Sequence, residues 1–119
     1  MTYMDVVKKE ISMFEGVTKS SCGDPEGGGP GWVKFRLEKS ELGWRTLEFL
    51  AWIMTDMRRA GERLNFLPTA PPPYLNEPGD CLSLVLEVYP EDGDEAERFQ
   101  KVAEFIQWSR TEHWEECVQ

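Results

Sequence analysis

At 119 residues the chain is long enough for one hydrophobic core and too short for two comfortable ones. Its 40% hydrophobic content, with five Trp and six Phe, describes a packed domain rather than a disordered tail. A formal charge of −9 repels phosphate backbones, which argues against nucleic acid and favours basic proteins as partners.

No run approaches the roughly 20 apolar residues of a membrane span. The opening stretch MTYMDVVKKEISMF has neither the basic start nor the unbroken apolar segment of a secretory signal, so a cytoplasmic location is expected. Cys22, Cys81 and Cys117 are odd in number and lack metal-type spacing. Neither a disulfide framework nor a metal or other cofactor is expected from them.

Met4, Val7, Ile11 and Phe14 recur at three- and four-residue intervals, which predicts an amphipathic helix over 2–15 that stops at Gly16. Residues 19–31, KSSCGDPEGGGPG, read as a flexible Gly/Pro loop. Asp24, Glu26 and the prolines set this loop against phosphate binding, which needs bare backbone amides and a helix start. Trp32–Glu38 alternates as a strand, with Val33, Phe35 and Leu37 on one face.

Ser40 then caps a long helix over 41–60, with Glu41 at its positive end and Gly61 at its exit. Leu42, Leu50, Ile53, Met54 and Met57 make its apolar stripe, widened by Trp44, Leu47 and Ala51. Trp52 falls on the opposite, charged face among Arg45, Glu48, Asp56 and Arg59. Leu64–Leu67 is a short strand. The segment PTAPPPYLNEP is a stiff connection, with Tyr74 and Leu75 pinning it to the body.

Cys81–Tyr89 is the clearest strand, with Leu82, Leu84, Leu86 and Val88 facing the core. Asp94 and Glu97 resemble a capping box that opens a last helix running to about Trp114. There Phe99, Val102, Ala103 and Ile106 form the core stripe, while Phe105 and Trp108 lie off it.

This order predicts an α+β fold in a single domain over 1–119: a two-layer α/β sandwich with a small, mainly antiparallel sheet. Its 32–114 core has a βαββα-like order that resembles part of a ferredoxin-like arrangement in element order alone, with the N-terminal helix added. If that helix covered the second sheet face instead, a three-layer core would absorb Trp32, Val85 and Tyr89.

The chemistry-bearing residues are sparse. His113, the single histidine, stands four residues before Cys117, yet lacks the further ligands a metal needs and the orienting group a triad needs. The acidic run EDGDEAE lacks the spacing of a calcium loop and reads as a solvated turn complementing a helix start. An enzyme is therefore the least favoured class.

The aromatic surplus points instead to binding. Trp52, Phe105 and Trp108, with Arg45 and Arg59 around them, form the expected partner-binding set. That surface either self-associates, most simply as a homodimer, or docks on a basic protein, as an immunity- or inhibitor-like module would. The alternative is a small-molecule pocket lined by Trp32, Trp44, Tyr74 and Tyr89.

Overall fold

The computed structural model describes residues 3–69, 81–90 and 95–118, with residues 117 and 118 described by backbone alone. Among them the chain runs α1 (Asp5–Ser12), β1 (Val17–Gly23), β2 (Gly31–Glu38), α2 (Glu41–Arg59), β3 (Leu64–Pro68), β4 (Cys81–Val88) and α3 (Glu95–Val118). The strands form one sheet in the order β1-β2-β4-β3, each neighbouring pair antiparallel. β4 thus lies between β2 and β3, which run parallel and are joined by α2. This is a split β-α-β unit.

The helices share one face of the sheet. Val33, Phe35 and Leu37 of β2 point into the same buried cluster as Leu84, Leu86 and Val88 of β4. Met4, Val7 and Ile11 from the N-terminal segment join Leu50 and Ile53 of α2 and Phe99 and Ile106 of α3 there, all without measurable exposure. The result is a two-layer α+β sandwich. Because α1 packs into that common core, the three-layer arrangement does not form.

The second sheet face keeps Trp32, Lys34 and Arg36 of β2 beside Val85 and Glu87 of β4. Trp32 lies flat over Gly23 of the neighbouring strand, where an added Cβ would come within 2.5 Å of the indole, and Lys34 Nζ stands 5.0 Å from the ring centre.

Two departures from the sequence expectation concern β1 and α2. Val17–Gly23 is an edge strand, so the predicted loop over 19–31 shrinks to residues 24–30. Its signal is weak because one side of an edge strand is wet. Ser20 and Cys22 face inward opposite Phe35 and Val33 but are not strongly apolar.

Within the remaining loop, the Asp24 carboxylate accepts hydrogen bonds from the amides of Tyr3 (3.0 Å) and Met4 (2.9 Å). The loop thus supplies an anion to the start of α1 instead of binding one.

On α2, Trp44 and Ala51 lie outside rather than widening the stripe, and Phe49 is buried in their place. The proline segment with Tyr74, and Asp94 of the predicted capping box, lie outside the described residues.

Two contacts fix the start of α2 against the sheet. Ser40, in extended conformation, accepts the Gly43 amide on its Oγ at 3.0 Å. Thr46, fully buried, donates to the Glu15 carbonyl at 2.6 Å. Removing the cap by Ser40→Ala is expected to lower stability by about 1 kcal/mol, with Ser40→Asp retaining it. Urea unfolding measures both, and an unchanged midpoint for the alanine variant would discount the cap.

Candidate functional site

Aromatic side chains run in unbroken contact from the core to the outer surface of α2 and α3. Inside, Phe14, Phe49 and Trp114 form a triangle with ring centres 5.8, 5.6 and 5.2 Å apart. Phe49 touches Trp52 at 5.5 Å. Trp52 meets His113 edge-on at 5.4 Å, and His113 meets Trp108 edge-on at the same distance. Trp108 then meets Phe105 at 6.0 Å.

The outer members Trp52 and Trp108, with Trp44 about two turns back along α2 in the groove beside Trp52, form a ridge. Trp44 is 49% exposed, Trp52 42% and Trp108 54%. The indoles of Trp52 and Trp108, open to solvent yet each held edge-to-face by His113, have lost much of the freedom that docking would otherwise cost. Phe105 differs: it is half-buried against the core and lines a pocket of about 200 Å³ with Met57, Ala60 and Val102.

Beside the ridge, α2 carries a groove of about 680 Å³ lined by Ser40, Glu41, Trp44, Arg45, Glu48, Phe49 and Trp52. Trp44, Glu48 and Trp52 are exposed and spaced four residues apart, so they succeed one another along one helix face. Glu104, Trp108 and Glu112 repeat that alternation on α3.

Of the cationic residues expected at the site, Arg45 is within the groove and 3.5 Å from Glu41. Arg59 is exposed in the last turn of α2, nearly two turns beyond Trp52. The structure therefore brings Trp52, Trp108 and Phe105 together, sets Arg45 beside them and leaves Arg59 at the periphery.

Sequence reading missed Phe49, Trp114, Trp44 and His113 as members of this surface or its support. A signal for Trp114 existed: it extends the Phe99, Val102 and Ile106 stripe by two turns at helical spacing. The position of His113 between two indoles had no local signal, because Trp52 belongs to another helix.

Of the residues expected to line a small-molecule pocket, the three described ones lie in different surroundings. Trp32 is on the helix-free sheet face, and Trp44 is on α2. Tyr89 stacks under Arg63 at 5.2 Å, in a third cavity with Arg58, Glu62 and Asn65. Tyr74 lies outside the described residues.

Among the described residues no group of three or more His, Cys, Asp or Glu side chains converges as a metal site. His113 Nδ1 is 3.8 Å from Glu116, and the side chain of Cys117 is not described. Among those residues, too, no helix is long and apolar enough to cross a membrane. No family model, curated protein or solved structure matches this chain.

Proposed function

We propose that the chain is a binding module that docks on a protein partner through the ridge of Trp44, Trp52 and Trp108. One observation carries this reading: Trp52 and Trp108, on two packed helices, flank His113 at 5.4 Å each, Trp44 lines the same groove as Trp52, and all three indoles are 42–54% exposed. Scattered single aromatics are ordinary on a surface, whereas contiguous ones mark interfaces, in which Trp is enriched as an anchor. The carboxylates of Glu48, Glu104 and Glu112 among them supply the polar surroundings typical of such patches.

A second copy of the chain is the other occupant this surface would accept, but the formal charge of −9 sets two like faces against each other. An inhibitor- or immunity-like role fits a module of this size and charge. Cys81 is a free thiol and the Cys22 thiol donates to Asp5 Oδ1 at 3.2 Å, which suits a reducing compartment such as the cytoplasm.

The test places a benzophenone photo-cross-linker at Thr111, one turn beyond Trp108, or at Ser21 on the far sheet face. Adducts are read in the native cell, and sedimentation over a range of concentrations reads self-association. The expected result is a specific adduct from Thr111 that Trp52→Ala and Trp108→Ala each reduce at least about tenfold. A monomer at every concentration, with equal adducts from both positions, would remove the docking role.

A further inference from the structure

We infer that the α2 groove seats a basic side chain of the partner, an arginine above all, between Trp44 and Trp52 with Glu48 as its counter-ion. The inference rests on the docking reading and specifies the partner's chemistry at one point of the ridge.

The charges in the groove are unequal. Arg45 is already matched by Glu41 at 3.5 Å. Glu48 has no hydrogen bond or ion pair among the described residues, yet it sits between two indoles on the same helix face. The groove therefore carries one surplus negative charge at its centre.

Any partner that covers both Trp44 and Trp52 must also cover Glu48. Desolvating an unpaired carboxylate is costly, and an apolar or acidic partner offers nothing in return. A guanidinium does: it pairs with the carboxylate, stacks on indole faces and is weakly hydrated for a cation. Ammonium fits the same charges with less stacking.

The ridge offers one other space between indoles, and it is occupied. His113 lies 5.4 Å from both Trp52 and Trp108, filling the notch between them. The groove on the Trp44 side is left open, and its volume of about 680 Å³ accommodates a long side chain with part of its backbone. The Glu104, Trp108, Glu112 stripe on α3 extends the same alternation of carboxylate and indole beyond the notch, so a partner segment with several basic residues meets like chemistry along its length.

The experiment titrates the full chain, labelled with nitrogen-15, with N-acetyl-arginine amide and separately with its neutral isostere N-acetyl-citrulline amide. The indole N–H signals of Trp44 and Trp52 report binding, assigned from Trp44→Phe and Trp52→Phe. Arginine amide is expected to move both signals saturably. Citrulline amide should bind at least about fivefold more weakly, and Glu48→Gln should weaken arginine amide by a similar factor. Glu26→Gln removes one charge from a distant loop and is expected to change affinity less than about twofold.

Equal binding of the two amides would overturn the cation seat while leaving the groove a docking surface. An equal loss with Glu26→Gln would reduce the effect to diffuse charge and overturn the seat too. If neither probe moves the two signals, the seat fails, whereas the adduct from Thr111 stands or falls separately.

Discussion

Arg110→Met is expected to destabilise the protein by about 3 kcal/mol, the larger of two core effects. Arg110 Nη2 is 2.7 Å from Glu10 Oε1, and Nη1 donates to the Glu10 carbonyl at 3.0 Å. The guanidinium also lies 5.4 Å from the centre of the Phe14 ring. Both side chains are close to nine-tenths buried, so solvent screens the pair weakly.

Removing the cation leaves the Glu10 carboxylate enclosed without its partner, and that desolvation penalty is the main source of the loss. Replacing both residues, Glu10→Met with Arg110→Met, is expected to recover most of it. Denaturant unfolding of the two single variants and the double measures this as a thermodynamic cycle. A single variant within about 0.5 kcal/mol of the wild type would show that the pair contributes little.

Gly43→Ala should lower stability by about 2–3 kcal/mol and Tm by roughly 10 °C. An added Cβ would stand 1.9 Å from the Glu38 carbonyl oxygen and 3.0 Å from its carbon. Those are backbone atoms at the end of β2 and cannot swing aside as a flexible side chain would. Alanine gains up to about 1 kcal/mol in helix propensity, which is smaller than the clash. Gly61→Ala serves as the comparison: its φ of +97° is strained for alanine, yet nothing lies within 4 Å of the new methyl. It should cost about 1 kcal/mol. Calorimetry ranks the two, and a Gly43 variant as stable as the Gly61 variant would refute the close approach.

Most of the fold is legible in the sequence because its inward-facing elements obey a simple period. Val33, Phe35 and Leu37 alternate, as do Leu84, Leu86 and Val88, and both rows are buried. Met4, Val7, Ile11 and Phe14 repeat at helical spacing and are buried too. β1 leaves no periodic trace, because Thr18, Lys19, Ser20 and Ser21 carry no apolar rhythm. Its pairing with β2 is a backbone matter on which composition is silent.

The candidate site was half legible. Trp52 and Trp108 stand off their helical stripes, which periodicity alone detects. Trp44 widens the predicted stripe because its angle on the wheel borders the apolar sector. The packing of α2 against α3 and against Phe14 instead admits Phe49 and leaves Trp44 outside. The meeting of Trp52, His113 and Trp108 belongs to helix packing, which no local window encodes.

The relay of rings from Phe14 to Phe105 makes the interior a witness to events outside. Trp52 leans on Phe49, and Phe49 on Trp114, so a body pressing on the ridge disturbs chromophores far beneath its footprint. Binding at the surface is expected to change the near-ultraviolet dichroism and emission of the native chain, so that a titration could be followed without attaching a dye.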